Sequence, residues 1–511
     1  MTPMSFGRIG LLTPVLLSCL WGVASAATLS VGPDKKYKTP CAAFEAASKG
    51  SIIEIDATGN YDGDVCEITQ DRLTIRGIGP GRAWIDAAGR NAQDKGTWVI
   101  HGSNTTIENV ELSGSHVPDK NGAAIRMEGH NLTLRNCAFH DNETAILTGE
   151  DPAGEILIEY SEFGNNGWRY SGGQSHSMYI GHVNKFTLQF SYSHHTQVGH
   201  LVKTRAANNF ILYNRLTDEV DGGASYEVNI PNGGNSYLIG NVLQKGAHAD
   251  NPNLVSYRVE GPDSRNPGTH LYVFNNTFVT NTPPRDAWFL ILDASVSTPA
   301  IIQNNIFWGP LGVTNQPNAI LAANLVNTDP QFVDPAKFDY RLRSGSPAID
   351  AGATPDPALR GGFSVQAVSE YVHPACGAQR PAAGPIDIGA FEFGGARSPA
   401  PECTPPESAL NLHVNVSGVV GSTEMEAELL LNRPAPPGGV MVLLSSSNPK
   451  LLTVPERVTI PAGENSIVVP ITAGIAPSRT LVTVTASAGP MKRTCSFAVG
   501  VSKKDRRADA R

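Results

Sequence analysis

Charge is scarce in this chain, and basic charge is the scarcer kind. Of 511 residues 17% are charged, against about 25% in an ordinary soluble protein. Asp and Glu number 47 and Lys and Arg 39, for a net charge of −8. With no basic excess, the chain lacks the footprint of a general nucleic-acid or anionic-membrane binder. After residue 26 no apolar run approaches the length of a membrane span. Neither CxxC nor HExxH occurs, so a zinc site has no support. Long helices are disfavoured as well, because 51 Gly and 37 Pro punctuate the sequence.

A hydrophobic content of 41% is present, enough to fill an interior and to exclude a disordered chain. The length exceeds one ordinary core, so two or three domains, or a solenoid with an appendage, are expected. At the N-terminus Arg8 precedes an apolar run from Ile9 to Leu20, and Ala24-Ser25-Ala26 supplies a small-x-small cleavage site. Residues 1–26 therefore read as a secretory signal peptide, and the mature protein is expected to be secreted, periplasmic or at the cell surface. Cys19 leaves lipid anchoring open as an alternative. Cleavage removes Arg8 as its one charged residue, which takes the net charge from −8 to −9. Export permits disulfides. Cys41 with Cys66 is the best pair, Cys376 with Cys403 could clamp a domain link, and Cys137 and Cys495 are expected to be free and buried.

A diverged unit recurs through residues 70–310. Its instances are ENVEL, RNCAF, EYSEF, QFSYS, YNRLT, GNVLQ, NNTFV and NNIFW, whose second positions are Asn109, Asn136, Tyr160, Phe190, Asn214, Asn241, Asn276 and Asn305. The period is about two dozen residues with loops of variable length. Such a period, with β-branched stretches and Asn at the turns, predicts a parallel β-helix. No coil can bury its apolar face alone, and stacking makes one core. The asparagines then read as structural, bonding backbone between coils. Pro40 to Lys49 has the composition of a capping helix, and the first strand is expected at Ser51–Asp56. Residues 329–353 and PIDIGAFEF (385–393) close the far end.

LTIRGIGPGRAWIDAAGR (73–90) and those closing segments resemble secreted bacterial right-handed parallel β-helix proteins over roughly residues 38–393. Residues 27–393 are thus assigned to the helix with its cap, and the Pro/Gly-rich 394–407 to a stiff linker. Across 408–500, alternating stretches such as VMVLLSS, RVTIP and LVTVTAS predict a β-sandwich. It resembles the immunoglobulin-like modules of bacterial secreted proteins. The charged tail 501–511 is expected to be disordered.

Side chains fill the interior of a β-helix, so chemistry belongs on an outer face. Residues 176–261 carry the unusual polar set. A period of 24 places Met178, Val202 and Tyr226 in one inward column and Ile180, Thr204 and Val228 in another. Tyr179, Lys203 and Glu227 then face outward, followed by Gly181, Arg205 and Asn229. Arg258 and Glu260 extend these columns on the next coil, and His176, His182 and His200 lie nearby. The plain reading is a surface charge ladder with a Lys203–Glu227 ion pair worth about 0.2–1 kcal/mol. The functional reading is β-elimination on a uronic acid, which needs a group to neutralise the carboxylate, a base for the C5 proton and an acid for the leaving oxygen.

HLVKTRAANNFILYNRL (200–216) and GGNSYLIGNVL (233–243) resemble the catalytic coils of alginate- and dermatan-cleaving β-helix lyases. In that family a Lys followed by Ser is the base, and Lys203 followed by Thr204 matches it. The family's Arg-His-Gly on the next coil is replaced by Glu227, Val228 and Asn229. Its calcium-binding carboxylates are replaced by Gln197, Val198, Gly199 and His200, so calcium is not carried over from the resemblance and stays open only as an alternative, and no cofactor is expected. The assignment is Lys203 as base, Arg205, Arg258 or His182 neutralising the uronate, and Tyr179 or His200 as acid. His176, Glu227, Asn229 and Glu260 are substrate contacts. An acidic polysaccharide is the expected partner and a monomer the expected state. A glycoside hydrolase with two carboxylates, a uronate epimerase and a non-catalytic carbohydrate-binding surface protein are the alternatives.

Overall fold

The computed structural model describes residues 27–499 apart from 80, 169–170, 284–285, 396, 398–411, 418–423, 432–434, 437, 465, 475–479 and 489–490. Residues 1–26, which the sequence reads as a signal peptide, Cys403, most of the expected linker and the charged tail lie outside the described residues.

Three parallel sheets of twelve, ten and ten strands wind together as a β-helix. The first runs from Thr28–Val31 to Ile320–Ala322, the second from Ala83–Asp86 to Leu325–Val326 and the third from Cys66–Ile68 to Gly312–Thr314. Most coils contribute one short strand to each sheet. Inward alternation is strict where it matters. Ile53, Ile75, Ile107, Leu134, Ile158, Leu188, Ile211, Leu238, Val273 and Ile302 stack directly in register, all fully buried. Each such side chain stabilises the stack by about 1.5–3 kcal/mol.

The asparagines do two jobs at adjacent positions. One column takes the left-handed backbone that turns the corner: Asn109 (φ 55°), Asn136, Tyr160, Phe190, Tyr213, Gly240, Asn275 and Asn304. The next position points inward as a side-chain ladder. Asn214, Asn241, Asn276, Asn305 and Asn324 bond one another at 2.9–3.0 Å, and Ser161 and Ser191 continue the ladder. The column read from sequence therefore crosses from the first position to the second at Asn214. The reason is that both positions accept Asn. Asn276 receives the backbone N–H and side-chain amide of Asn241, and itself donates to Leu238 and Phe274. Asn276→Leu orphans several buried groups, at about 1–3 kcal/mol each. It is expected to lower the urea midpoint, and an unchanged midpoint would remove the ladder from the stability argument.

The N-terminal cap is a helix, Pro40–Ala46, with Thr39 as N-cap and Pro40 at its first position. Phe44 meets Trp98 edge-on at 5.2 Å, and the Cys41–Cys66 disulfide forms, tying the helix to the third sheet. The first rung lies earlier than expected: Thr28–Val31 pairs with Ile52–Asp56, so the strand expected to open the helix is its second. Cys137 is free and buried, as read from sequence. Cys376 is disulfide-bonded to a residue outside the described set, and the side chain of Cys495 also lies outside it.

Beyond residue 326 the chain turns back along the outside of the coils. Val368 N–H donates to the Tyr213 hydroxyl (3.1 Å), Tyr237 donates to the Arg360 carbonyl (2.9 Å), and Asn275 donates to the Asp387 carbonyl (2.9 Å). Phe363 covers the stacked pair Phe210 and Tyr237. Residues 412–499 form two four-stranded antiparallel sheets. Leu429, Leu431, Val469 and Ile471 from one meet Val442, Leu444, Val482 and Val484 from the other in one buried cluster, an arrangement compatible with a sandwich.

Candidate active site

The outer face of the third sheet carries the polar set. Tyr179 pairs with Lys203, Lys203 with Asn229, and Asn229 with Ser256, so these four stand on successive rungs. The expected column of Tyr179, Lys203 and Glu227 is corrected here. His200 pairs with Tyr226, which makes the coil after Lys203 two residues longer than the one before it. A slip of two preserves the in–out alternation, so periodicity alone cannot detect it.

Glu227 consequently leaves the site. It is fully buried and pairs with the equally buried Lys245 at 3.1 Å. Burial first, and the neighbouring Asp218, push its carboxyl well above the usual range despite the Lys245 charge. The expected Lys203–Glu227 ion pair does not exist.

Glu260 takes that place. One carboxylate oxygen lies 3.3 Å from Lys203 Nζ, and the other accepts from Arg205 Nη2 at 2.6 Å. Arg205 Nε donates to the Tyr179 hydroxyl at 2.7 Å, and Nη1 donates to Asn232. Arg205 thus uses three separate nitrogens on three partners, which only a guanidinium can do. Tyr179 lies beneath both cations, with Lys203 Nζ 5.1 Å and Arg205 Cζ 5.6 Å from its ring centre. Burial opposes the Glu260 charge, but the Arg205 hydrogen bond and the Lys203 charge outweigh it and hold its carboxyl below the ordinary range. Asn266 fixes the Arg205 backbone by donating to its carbonyl at 2.8 Å. Asn232 and Asn266 were missed in the sequence. The PNGG turn after Ile230 was the available signal for the first; no pattern marked the second.

His176 and His200 stack at 4.8 Å beside Tyr179, and the His200 backbone N–H donates to His176 Nδ1. Burial first, then the Lys203 and Arg205 charges, push the His176 imidazole down to about 3, and His200 is likewise held low by burial and His176. Both rings are uncharged at neutral pH. Unfolded, His176 would titrate near ~6.5. Between about 3 and ~6.5 the unfolded chain binds a proton that the folded chain refuses. Stability is therefore complete above ~6.5 and is lost as pH falls through that window, by up to about 1.4 kcal/mol per pH unit. Urea midpoints of His176→Gln at pH 7.5 and 4.5 are expected to differ less than those of wild type, and equal differences would refute this.

His182 sits apart, 3.5 Å from Asp263 in a chain that continues through Arg265 to Glu150. Burial and Arg265 lower its pKa. Arg258 follows Tyr257 in a left-handed conformation, and its Nε has no hydrogen-bond partner among the described residues. Neither residue joins the set around Lys203 by a hydrogen bond or ion pair among the described residues. Asn229 is buried, with its Oδ1 unpartnered next to Lys203 on the rung. No group of three or more His, Cys, Asp and Glu side chains among the described residues is placed to hold a metal ion.

No family model and no curated protein matches the chain. Among solved structures, the crystal structure of pectate lyase Pel9A is similar over 73% of this chain and 97% of its own, at 14% identity and a TM-score of 0.47.

Proposed function

We propose that this protein is an exported polysaccharide lyase that cleaves a uronate-containing polymer by β-elimination at the Tyr179–Lys203–Arg205 face. The observation that carries the reading is the clamp on Glu260. Arg205, braced by Tyr179 on another of its nitrogens, already holds a carboxylate there beside Lys203, in the arrangement a sugar carboxylate would need. Glu260 is 43% exposed on its side chain, and it can be displaced by a substrate carboxylate entering from solvent.

With the uronate on Arg205, charge that develops on the carboxylate as the C5 proton leaves is stabilised in place. Lys203, in its amine form, takes that proton. The electron pair forms the C4–C5 double bond, and the C4–O bond breaks. Arg205 occupies one lone pair of the Tyr179 oxygen, which leaves the hydroxyl proton to be given to the departing oxygen. The Cys41–Cys66 disulfide supports an oxidising compartment. Among the described residues no helix is long and apolar enough to cross a membrane.

Hydrolysis would need two carboxylates flanking the bond. With Glu227 buried, Glu260 is the carboxylate left beside Lys203, and it is tied into ion pairs. The test is ultraviolet absorbance of the unsaturated uronate product over alginate, pectate, hyaluronan, chondroitin and dermatan, with wild type and Lys203→Ala. A rise with wild type alone supports elimination. A new reducing end without absorbance means hydrolysis, changed uronate stereochemistry without cleavage means epimerisation, and silence in all three assays overturns the enzymatic reading.

A further inference from the structure

A cleft lies on the same solenoid, away from Lys203. It has a volume of about 440 Å³ and is lined by Asn91, His116, Val117, Lys120, Glu143 and Trp168. Two loops make it. Residues 114–122 lead into the strand Ala123–Met127, and Trp168 with residues 171–177 precedes Met178–Ile180. Both strands belong to the sheet that carries Lys203, three and one rungs before it. At ~4.8 Å per rung the cleft stands roughly 5–15 Å along the axis from Lys203, a reach of one to three sugar units.

Residues 115–122 are held by a buried carboxylate and its neighbours. The buried Glu143 carboxylate accepts the backbone N–H groups of Val117 (3.0 Å) and Gly122 (2.7 Å) and lies 3.3 Å from His116 Nδ1. A side chain at residue 122 would meet Val117 N at 2.9 Å and Glu143 Oε2 at 3.0 Å, so glycine is required there. Asn142 accepts the Ser115 N–H at 3.0 Å, and Ser175 donates to the Lys120 carbonyl at 2.7 Å, which joins one loop to the other. What this frame presents to solvent is chemically specific. Trp168 is partly exposed, His116 stands edge-on to it at 6.1 Å with 48% of its side chain exposed, and the Lys120 ammonium lies 5.8 Å from the indole ring. An indole takes the C–H face of a pyranose, an ammonium over the ring takes a carboxylate or sulfate, and an imidazole bonds hydroxyls.

The geometry points to a distal subsite here for an acidic sugar unit of the same polymer, with Trp168 as the stacking platform and Lys120 as the anion contact. This rests on the reading that the Lys203 face acts on a uronate polymer, but the cleft's own binding can be measured without turnover.

The experiment is electrophoretic retardation in native gels cast with alginate, polygalacturonate or chondroitin sulfate, and with hydroxyethyl cellulose as a neutral control. Wild type, Trp168→Ala, Trp168→Phe, Lys120→Ala and the turnover-deficient Lys203→Ala are compared. Lys203→Ala is expected to stay retarded in at least one acidic polymer. Trp168→Ala is expected to lose about tenfold in affinity with an unchanged thermal midpoint, Trp168→Phe to recover most of it, and Lys120→Ala to lose affinity for the acidic polymer. Where a polymer is also cleaved, Trp168→Ala raises KM for long chains and leaves kcat unchanged. Wild-type mobility for Trp168→Ala, equal retardation in the neutral gel, or no retardation of wild type in any acidic gel overturns the subsite. Absence of any unsaturated product, with Trp168-dependent retardation intact, overturns the lyase reading and keeps the subsite.

Discussion

Lys203→Ala and Arg205→Ala are each expected to lower uronate elimination by about 10²–10⁴-fold, the usual loss when a positioned acid, base or charge stabiliser is removed. The fold should hardly register the loss of Lys203. Lys203 has Glu260 as its hydrogen-bond partner, and that pair lies at the protein surface, where such bridges are worth about 0–1 kcal/mol. A large fall in rate with an unchanged urea midpoint is therefore the signature. Arg205→Lys should not rescue, because one ammonium cannot serve Glu260, Tyr179 and Asn232 together. Glu260→Ala works in the opposite sense. It removes an internal competitor for the clamp, so KM is expected to fall while Lys203 and Arg205 remain in place. If Lys203→Ala retains more than a tenth of wild-type turnover, Lys203 is not the base.

Lys245→Met is expected to be the most destabilising single change in the solenoid, at about 3–5 kcal/mol. Lys245 Nζ is fully buried and donates to the Ala224 and Ser225 carbonyls at 2.9 Å, besides facing Glu227 at 3.1 Å. Its loss strands the Glu227 carboxyl in a column otherwise held by Leu201 and Leu254, both fully buried. It also removes the cation that offsets burial at Asp218, which accepts from Ala224 and Gly246. The paired replacement Glu227→Leu with Lys245→Met should recover most of the loss, since two apolar side chains need no mutual charge. Urea midpoints of the single and double variants check this. A double variant no better than Lys245→Met alone would show that the carbonyl contacts, and not the carboxylate, are what Lys245 serves.

The periodic part of the molecule was legible in the sequence because one coil repeats one physical problem. Each coil must bury aliphatic side chains and turn a corner, and ENVEL or NNTFV displays both requirements. The cap helix and the Cys41–Cys66 bridge followed from local cues of the same kind, and the free Cys137 from the cysteines left over after pairing. The site was legible in part. Tyr179, Lys203 and Arg205 were placed together because the coil from Met178 to Val202 is regular at 24 residues. The next coil inserts two residues before Tyr226, and both registers place a β-branched or aromatic residue inward, so Glu227 was assigned to the wrong surroundings. Its buried partner Lys245 ends the strand Val242–Lys245 on a different sheet, and nothing in local patterning links the two. Glu260 was named from sequence as a strand residue, but it reaches Lys203 from the loop after Val255–Tyr257.

A stack of coils is by nature a zipper: each turn leans on its neighbours, and either end can peel. The returning segment changes that. Its bonds join residues 155 apart at Tyr213 and Val368, 123 apart at Tyr237 and Arg360, and 112 apart at Asn275 and Asp387. Coils in the middle and at the end are thereby laced to one late stretch of chain. During synthesis the turns can stack in the order they emerge, but the lacing closes last. Proteolytic cutting between residues 342 and 393 would then return the finished rod to an unfastened one, able to fray from its C-terminal end with every coil still correctly wound.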